Sequence, residues 1–230
     1  MLDLTFLGVG SAFHPELGNT AAYFVRGKTL FLLDCGSLVY AQLVQHELLQ
    51  KAEHIIALIT HTHADHAGSL PTLVSHCRHI TGASITVAHP ENTVDVLLLA
   101  SGITADQYAR QRETSMEAEG ISIRFLPVPH SKSMHAYGLL LQDQDETVYY
   151  SGDAGDMPEK IWQGFLGGGI DRVYQDVALN GKKGVSHGEY QWFASHCPIS
   201  RKQVFFPMHL SPACRAQAAA DGFPQVAYLP

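Results

Sequence analysis

Cysteine is scarce in this chain: Cys35, Cys77, Cys197 and Cys214 are its four, and no two of them stand at CxxC spacing. Neither a disulfide framework nor a thiolate zinc site is indicated, and the thiols read as small buried hydrophobes. Basic residues are short as well. Fifteen Lys and Arg against 22 Asp and Glu leave a formal charge of −7 and a pI near 6.0, which gives no basic footprint for a phosphate backbone. A long nucleic acid is therefore not expected as a partner. No apolar run reaches membrane-spanning length, and Met1-Leu-Asp-Leu-Thr-Phe-Leu alternates like a strand where a signal peptide would place a basic and then an apolar region. These absences predict a soluble, cytoplasmic protein with no membrane partner. At 230 residues and 46% hydrophobic, the chain is ample for a full core, and one domain over 1–230 is expected.

Histidine, by contrast, is plentiful, with 14 in the chain. His61, His63, Asp65 and His66 fall within one short stretch directly after the apolar run that ends at Thr60, and Gly68 then releases the chain. Imidazole nitrogens and carboxylate oxygens are ligands that zinc, iron and manganese accept. In an extended segment alternate side chains share a side, so His61 and His63 can converge on one ion while the turn through Ala64 swings Asp65 and His66 towards a second. A buried strand leading into a loop interrupted by one carboxylate argues against a tag-like histidine tract.

The remaining pattern alternates strands and helices. Strands are expected at 2–7, 20–26, 29–34 and 54–60, with a helix over about 38–51 and another from Gly68 to His79. A short strand at 85–88 leads to helices over 91–101 and 104–118, the second strongly polar. The second half opens on an alternating strand from Ile121, followed by a hairpin of 137–142 with 147–150. A helix near 158–166, a strand at 170–177, a helix at 187–195, a strand at 203–207 and a helix at 211–221 complete it. Ser186 and Glu189 have capping-box spacing, which places His187 in a first helical turn. The tail from Phe223 to Pro230 either covers a core edge or meets a partner.

His61-Thr-His63-Ala-Asp65-His66 matches an HxHxDH signature, with Asp34-Cys-Gly36 upstream and His130, Asp153 and His209 downstream, each just past an apolar strand. In these residues and their order the chain resembles the metallo-β-lactamase fold superfamily, and within it the ribonuclease Z-like branch. The resemblance spans nearly the full length. It implies an α/β (α+β) fold, an αββα four-layer sandwich of two mixed sheets flanked by helices, with two divalent ions at the mouth between the sheets. Zinc is the first choice, with manganese or iron as alternatives. One ion would take His61, His63 and His130, the other Asp65, His66 and His209, with Asp153 bridging. His135 is the rival to His130, but the strand resuming at Tyr137 leaves His135 on the loop. Asp34 is expected to orient the metal loop through hydrogen bonds. A shared water of lowered pKa would then attack, which makes the protein a metal-dependent hydrolase.

The branch also pairs an acidic strand residue with a histidine at a later helix start, to pass a proton to the leaving group. Asp176 and His187 stand where that dyad is expected, so the catalytic residues would be Asp65, Asp176 and His187. Against transfer-RNA 3′-processing, no room for a long RNA-gripping arm exists between Asp153 and His187, and Glu16 and Gly18 replace the family's Lys and Arg. The resemblance therefore implies a phosphodiesterase (phosphoric diester hydrolase) for a small phosphodiester. The leading substrate is a cyclic nucleotide, as in related enzymes that include phage weapons against cyclic-nucleotide immune signalling. A lactone, ester or thioester hydrolase and a non-catalytic metal-bound sensing domain remain as alternatives. A homodimer is expected by analogy alone.

Overall fold

The computed structural model describes residues 2–229. Its first sheet sets six strands side by side in chain order: β1 (Thr5–Gly8), β2 (Ala21–Arg26), β3 (Thr29–Leu33), β4 (His54–Leu58), β5 (Ser84–Ala88) and β6 (Ala109–Gln111). The first three are antiparallel, and from β3 onward neighbours run parallel. The second sheet contains β7 (Ser115–Ala118), β8 (Ile121–Val128), β9 (Ala136–Gln142), β10 (Thr147–Tyr150), β11 (Arg172–Ala178) and β12 (Gly188–Glu189), in reverse chain order across the sheet. A last strand, β13 (Phe205–Met208), pairs in parallel with β11.

Alternation along the strands sorts side chains into three layers of packing. Phe31, Leu33 and Leu58 from the first sheet meet Ile123, Phe125, Leu139 and Leu141 from the second in a core between the sheets. Their neighbours Leu30, Leu32, Ile55 and Ala57 face outward onto α1 (Val39–Gln45), α3 (Leu70–His76) and α4 (Thr93–Ala100). Behind the second sheet, Leu140, Tyr149, Val173 and Phe205 pack on α5 (Glu159–Leu166), α6 (Tyr190–His196) and α7 (Pro212–Ala220). The result is the expected αββα sandwich. Each buried Leu or Phe contributes about 1.5–3 kcal/mol, so the apolar layers fix the strand ends from which the site is built.

Four expectations need correction. Residues 104–118 are not a helix: after a turn at Ala105–Gln107 the chain makes β6, the edge of the first sheet, and then β7, the edge of the second. Arg110 is anchored there by Asp95 at 2.9 Å. Polar edge strands carry no clean alternation, and tertiary pairing overrides the local helical composition. The helix from 38 stops at Gln45, because Glu47 takes a left-handed conformation (φ 55°) and the Leu48 N–H donates back to the Leu43 carbonyl at 3.0 Å. The helix expected from Gly68 to His79 starts at Leu70 as α3 and widens into a looser turn at Cys77–Thr81, and a separate short helix, α2 (Ala64–Ala67), precedes Gly68. The capping box does not form: Gly188–Glu189 pairs with the end of β11, α6 starts only at Tyr190, and His187 precedes both. The tail covers an edge, since Leu229 N–H donates to the Phe6 carbonyl at 2.9 Å and Val226 enters the inter-sheet core.

Candidate metal centre

Strand ends at one rim of the sandwich deliver the chemistry-bearing residues. Asp34 follows β3, His61 to His66 follow β4, His130 follows β8, Asp153 follows β10 and His209 follows β13. Two of them sit in the left-handed backbone region, Asp34 at φ 64° and His209 at φ 59°. Such strain costs on the order of 1–3 kcal/mol and persists only where the surroundings enforce it. Close approach adds to this: a Cβ on Gly36 would lie 1.9 Å from the Asp65 carbonyl oxygen, so only glycine lets the loop after β3 pass under the metal loop.

Among the described residues three groups of side chains could hold a metal ion: His61, His63, His130 and Asp153; Asp65, His66, Asp153 and His209; and Asp153, Asp176, His187 and His209, with all ligand atoms of each within 4.8 Å of one another. The first two contain the expected ligands and share Asp153, whose two oxygens divide the work between these two clusters. Oδ2 faces His61 Nε2 at 3.9 Å and His130 Nε2 at 3.7 Å, whereas Oδ1 faces His66 Nε2 at 2.9 Å and His209 Nε2 at 3.3 Å. His135, the rival of His130, is 75% exposed and pairs with Glu91 instead.

Each inward nitrogen is set by what its partner nitrogen does on the outside. His66 Nδ1 donates to Asp34 Oδ2 at 2.9 Å, and His130 Nδ1 donates to the Ser186 carbonyl at 2.8 Å. His61 Nδ1 lies 3.1 Å from the Thr60 hydroxyl, which itself donates to Asp34 at 3.0 Å. One buried carboxylate thus orients a histidine from each cluster, while also accepting from the Thr60 N–H at 2.8 Å and the Tyr150 hydroxyl at 3.2 Å. Sequence reasoning identified Asp34 but missed Thr60, Tyr150 and Ser186; the Ser186 contact runs through a backbone carbonyl and leaves no side-chain signal.

A divalent cation fits this donor set. His63 Nδ1 lies 3.0 Å from His61 Nε2 and 3.1 Å from His130 Nε2, close to the spacing of about 3.3 Å that three imidazoles adopt around one zinc. His66 Nε2 and Asp153 Oδ1 are buried 2.9 Å apart without a well-aligned hydrogen bond, an arrangement that suits two ligand atoms turned towards one cation. Burial, reinforced by neighbouring imidazole charge, pushes the His61 and His63 pKa values down, so both rings are neutral and ready to coordinate. In the second cluster burial again opposes charge, but Asp153 and Asp34 hold His66 well above its ordinary range, and Asp153 and Asp176 push His209 up to about 10. Burial would raise the Asp153 carboxyl; the positive charge of His209 and His66 holds it well below the usual carboxylate range.

Asp34→Asn is expected to weaken metal binding about 10- to 100-fold, the usual effect of losing an outer-shell partner. Titration with chelator-buffered zinc checks this, and activity should return at saturating metal because none of the inward-facing atoms is removed.

The clusters open onto a cleft of about 850 Å³. His187 lies on it and its Nδ1 donates to Asp176 Oδ2 at 2.8 Å, so the two residues named as a dyad are in contact. Asp176 Oδ2 also accepts from the Ala154 N–H at 2.9 Å, next to Asp153. Burial disfavours a charged His187, but the hydrogen bond and charge of Asp176 outweigh it and raise the imidazole pKa. Asp65, 3.2 Å from His209 Nε2, is held ionised by that contact against the effect of burial. Among the described residues, no Lys or Arg lines the cleft.

Comparison with known proteins agrees with this geometry. The family described as Anti-Pycsar protein Apyc1 matches residues 2–228. The Anti-Pycsar protein Apyc1 of Paenibacillus sp. (strain J14) is 28% identical over 197 residues, which cover 79% of this chain and 78% of that one. Its namesake in Bacillus phage vB_BsuM-Goe3 is 32% identical over 183 residues, 66% of this chain and 69% of that one. In fold, the crystal structure of the metallo-β-lactamase fold protein YhfI from Bacillus subtilis superposes with a TM-score of 0.71, covering 98% of this chain and 96% of that chain at 17% identity. Matched from end to end by the family and sharing its sandwich with metallo-β-lactamase fold proteins, the chain belongs to the Anti-Pycsar Apyc1 family.

Proposed function

We propose that this protein is a dinuclear metal-dependent phosphodiesterase that hydrolyses cyclic nucleotides. It is a metal-dependent hydrolase of the metallo-β-lactamase fold, and the two His/Asp clusters are its divalent-metal sites. In our reading His61, His63 and His130 hold one ion, Asp65, His66 and His209 hold the other, and Asp153 bridges them. Zinc suits a set of imidazoles and carboxylates. When bound, the two ions acidify water towards neutral pH and offset charge on the phosphate.

The chain's own groups do the rest. His130, fixed by the Ser186 carbonyl, and His66, fixed by Asp34, keep their inward nitrogens turned towards Asp153. His187, its ring oriented by Asp176, gives its proton to the departing ribose oxygen as the phosphorus–oxygen bond breaks, since an alkoxide is a poor leaving group. The observation that carries this reading is that His187, hydrogen-bonded to the buried Asp176, lines the same cleft as both clusters. A cyclic nucleotide expels a strongly basic ribose alkoxide from phosphorus, and its cleavage gains from such a donor. A cleft without Lys or Arg, on a chain of net charge −7, suits one small anion and not an RNA backbone.

Metal-loaded protein assayed on 3′,5′-cyclic nucleotides, bis(p-nitrophenyl) phosphate and an acyl-lactone series tests the proposal. Turnover is expected on the first two; lactone turnover with no phosphodiester turnover would overturn it.

A further inference from the structure

The cleft has a polar floor and an apolar rim. Phe13, Leu38 and Leu179, exposed by 89%, 38% and 42%, all line it. A single exposed hydrophobe is ordinary on a protein surface, so exposure alone carries nothing. What distinguishes Phe13 is how it is held. The His14 N–H donates to the Ser11 carbonyl at 3.0 Å, which closes a tight turn with Ala12 and Phe13 at its tip. The base of that turn is fixed twice: Ser11 N–H donates to the Leu210 carbonyl at 3.1 Å, and Leu210 N–H donates to the Val9 carbonyl at 2.8 Å. The turn is therefore registered against the residue that follows His209. A large flat ring stands in solvent on a rigid mount beside the clusters.

A cyclic nucleotide has two chemically distinct ends, a phosphodiester anion and a planar base. The floor, with Asp65, Asp153, His187 and His209, accounts for the first; nothing in the catalytic chemistry uses the rim. We propose that Phe13 is the platform on which the substrate's base stacks, with Leu179 completing the apolar rim. The proposal rests on the cyclic-nucleotide reading above. Stacking on an aromatic face needs no particular donor or acceptor on the base, which matches a rim built of apolar groups. It makes Phe13 a substrate-positioning residue that leaves the bond-breaking step to the floor.

The test compares wild-type protein with Phe13→Ala and Phe13→Trp, and with Ile199→Ala as a control, an equally exposed residue that does not line the cleft. Each is assayed on 3′,5′-cyclic AMP and on the base-free methyl riboside 3′,5′-cyclic phosphate. For cyclic AMP, Phe13→Ala should raise KM about tenfold with kcat held within about twofold, and Phe13→Trp should restore KM. On the base-free substrate Phe13→Ala and wild type should have equal KM, both resembling Phe13→Ala on cyclic AMP. Unchanged KM for cyclic AMP in Phe13→Ala overturns the platform, as does an equal loss on both substrates or a change of oligomeric state without a change of KM. Absence of wild-type turnover on cyclic AMP and on the 3′,5′-cyclic phosphates of guanosine, cytidine and uridine would instead remove the function on which the platform rests, and the platform with it.

Discussion

Asp153→Asn is expected to cut turnover by at least about 10³-fold and to lower bound metal from two ions per chain to one or none, the largest loss any single change in this chain should cause. The substitution keeps the shape of the side chain and removes its charge. Asp153 is 2% exposed and presents one oxygen to each cluster, so no neighbour can take over both contacts. Elemental analysis of purified protein reads the metal content. A second measurement separates lost binding from lost folding: a ligand at about 100 times its Kd stabilises a protein by about 2.7 kcal/mol, so wild type should gain thermal stability on zinc addition and Asp153→Asn should gain much less. Two retained ions together with an unchanged zinc-dependent shift in Tm would show that Asp153 does not bridge.

The weight placed on Asp153 bears on what a sequence of this kind reveals. His61, His63, Asp65 and His66 announce themselves because their spacing is local: a strand end and one short helical turn suffice to bring them together. Asp153, His130 and His209 are far apart along the chain, and a place just past an apolar strand is the only local signal each of them carries. Their convergence depends on which strand lies beside which, and it became legible only through their order in a known pattern. The core strands were legible from local sequence too, since β3, β4 and β9 read as near-continuous apolar runs where both faces are covered. The polar edge strands β6 and β7 were not, because an edge residue such as Arg110 is stabilised by Asp95 and by pairing that composition does not encode. Glu47 in a left-handed helix cap gave no warning either, since that position usually belongs to glycine. Phe13 was invisible as a functional group because its distinction lies in exposure and in a turn tied to Leu210, a contact almost 200 residues away in the chain.

The dyad is the part of the site where sequence and geometry carry different information, and His187→Ala is the change that weighs it. A general acid contributes about 10²–10⁴-fold when the leaving group is basic. A ribose alkoxide is such a group; p-nitrophenolate, stable as an anion at neutral pH, is not. His187→Ala is therefore expected to lower kcat on a cyclic nucleotide about 10³-fold and on bis(p-nitrophenyl) phosphate by less than about tenfold, with metal content unchanged. The pH dependence has a definite sign. The pKa of His187 is raised, so its acid form persists to higher pH than that of an ordinary imidazole and is lost as pH climbs through that raised value; kcat/KM on the cyclic nucleotide should fall along this alkaline limb, and the limb should vanish in His187→Ala. Asp176→Asn should move the same limb to lower pH, because the carboxylate that holds the proton on the ring is gone. The double variant should be scarcely worse than His187→Ala on this readout, since the two residues act as one unit. Equal losses on both substrates would mean that the pair only shapes the cleft, through the Asp176 contact to the Ala154 N–H beside Asp153, and that the proton comes from elsewhere.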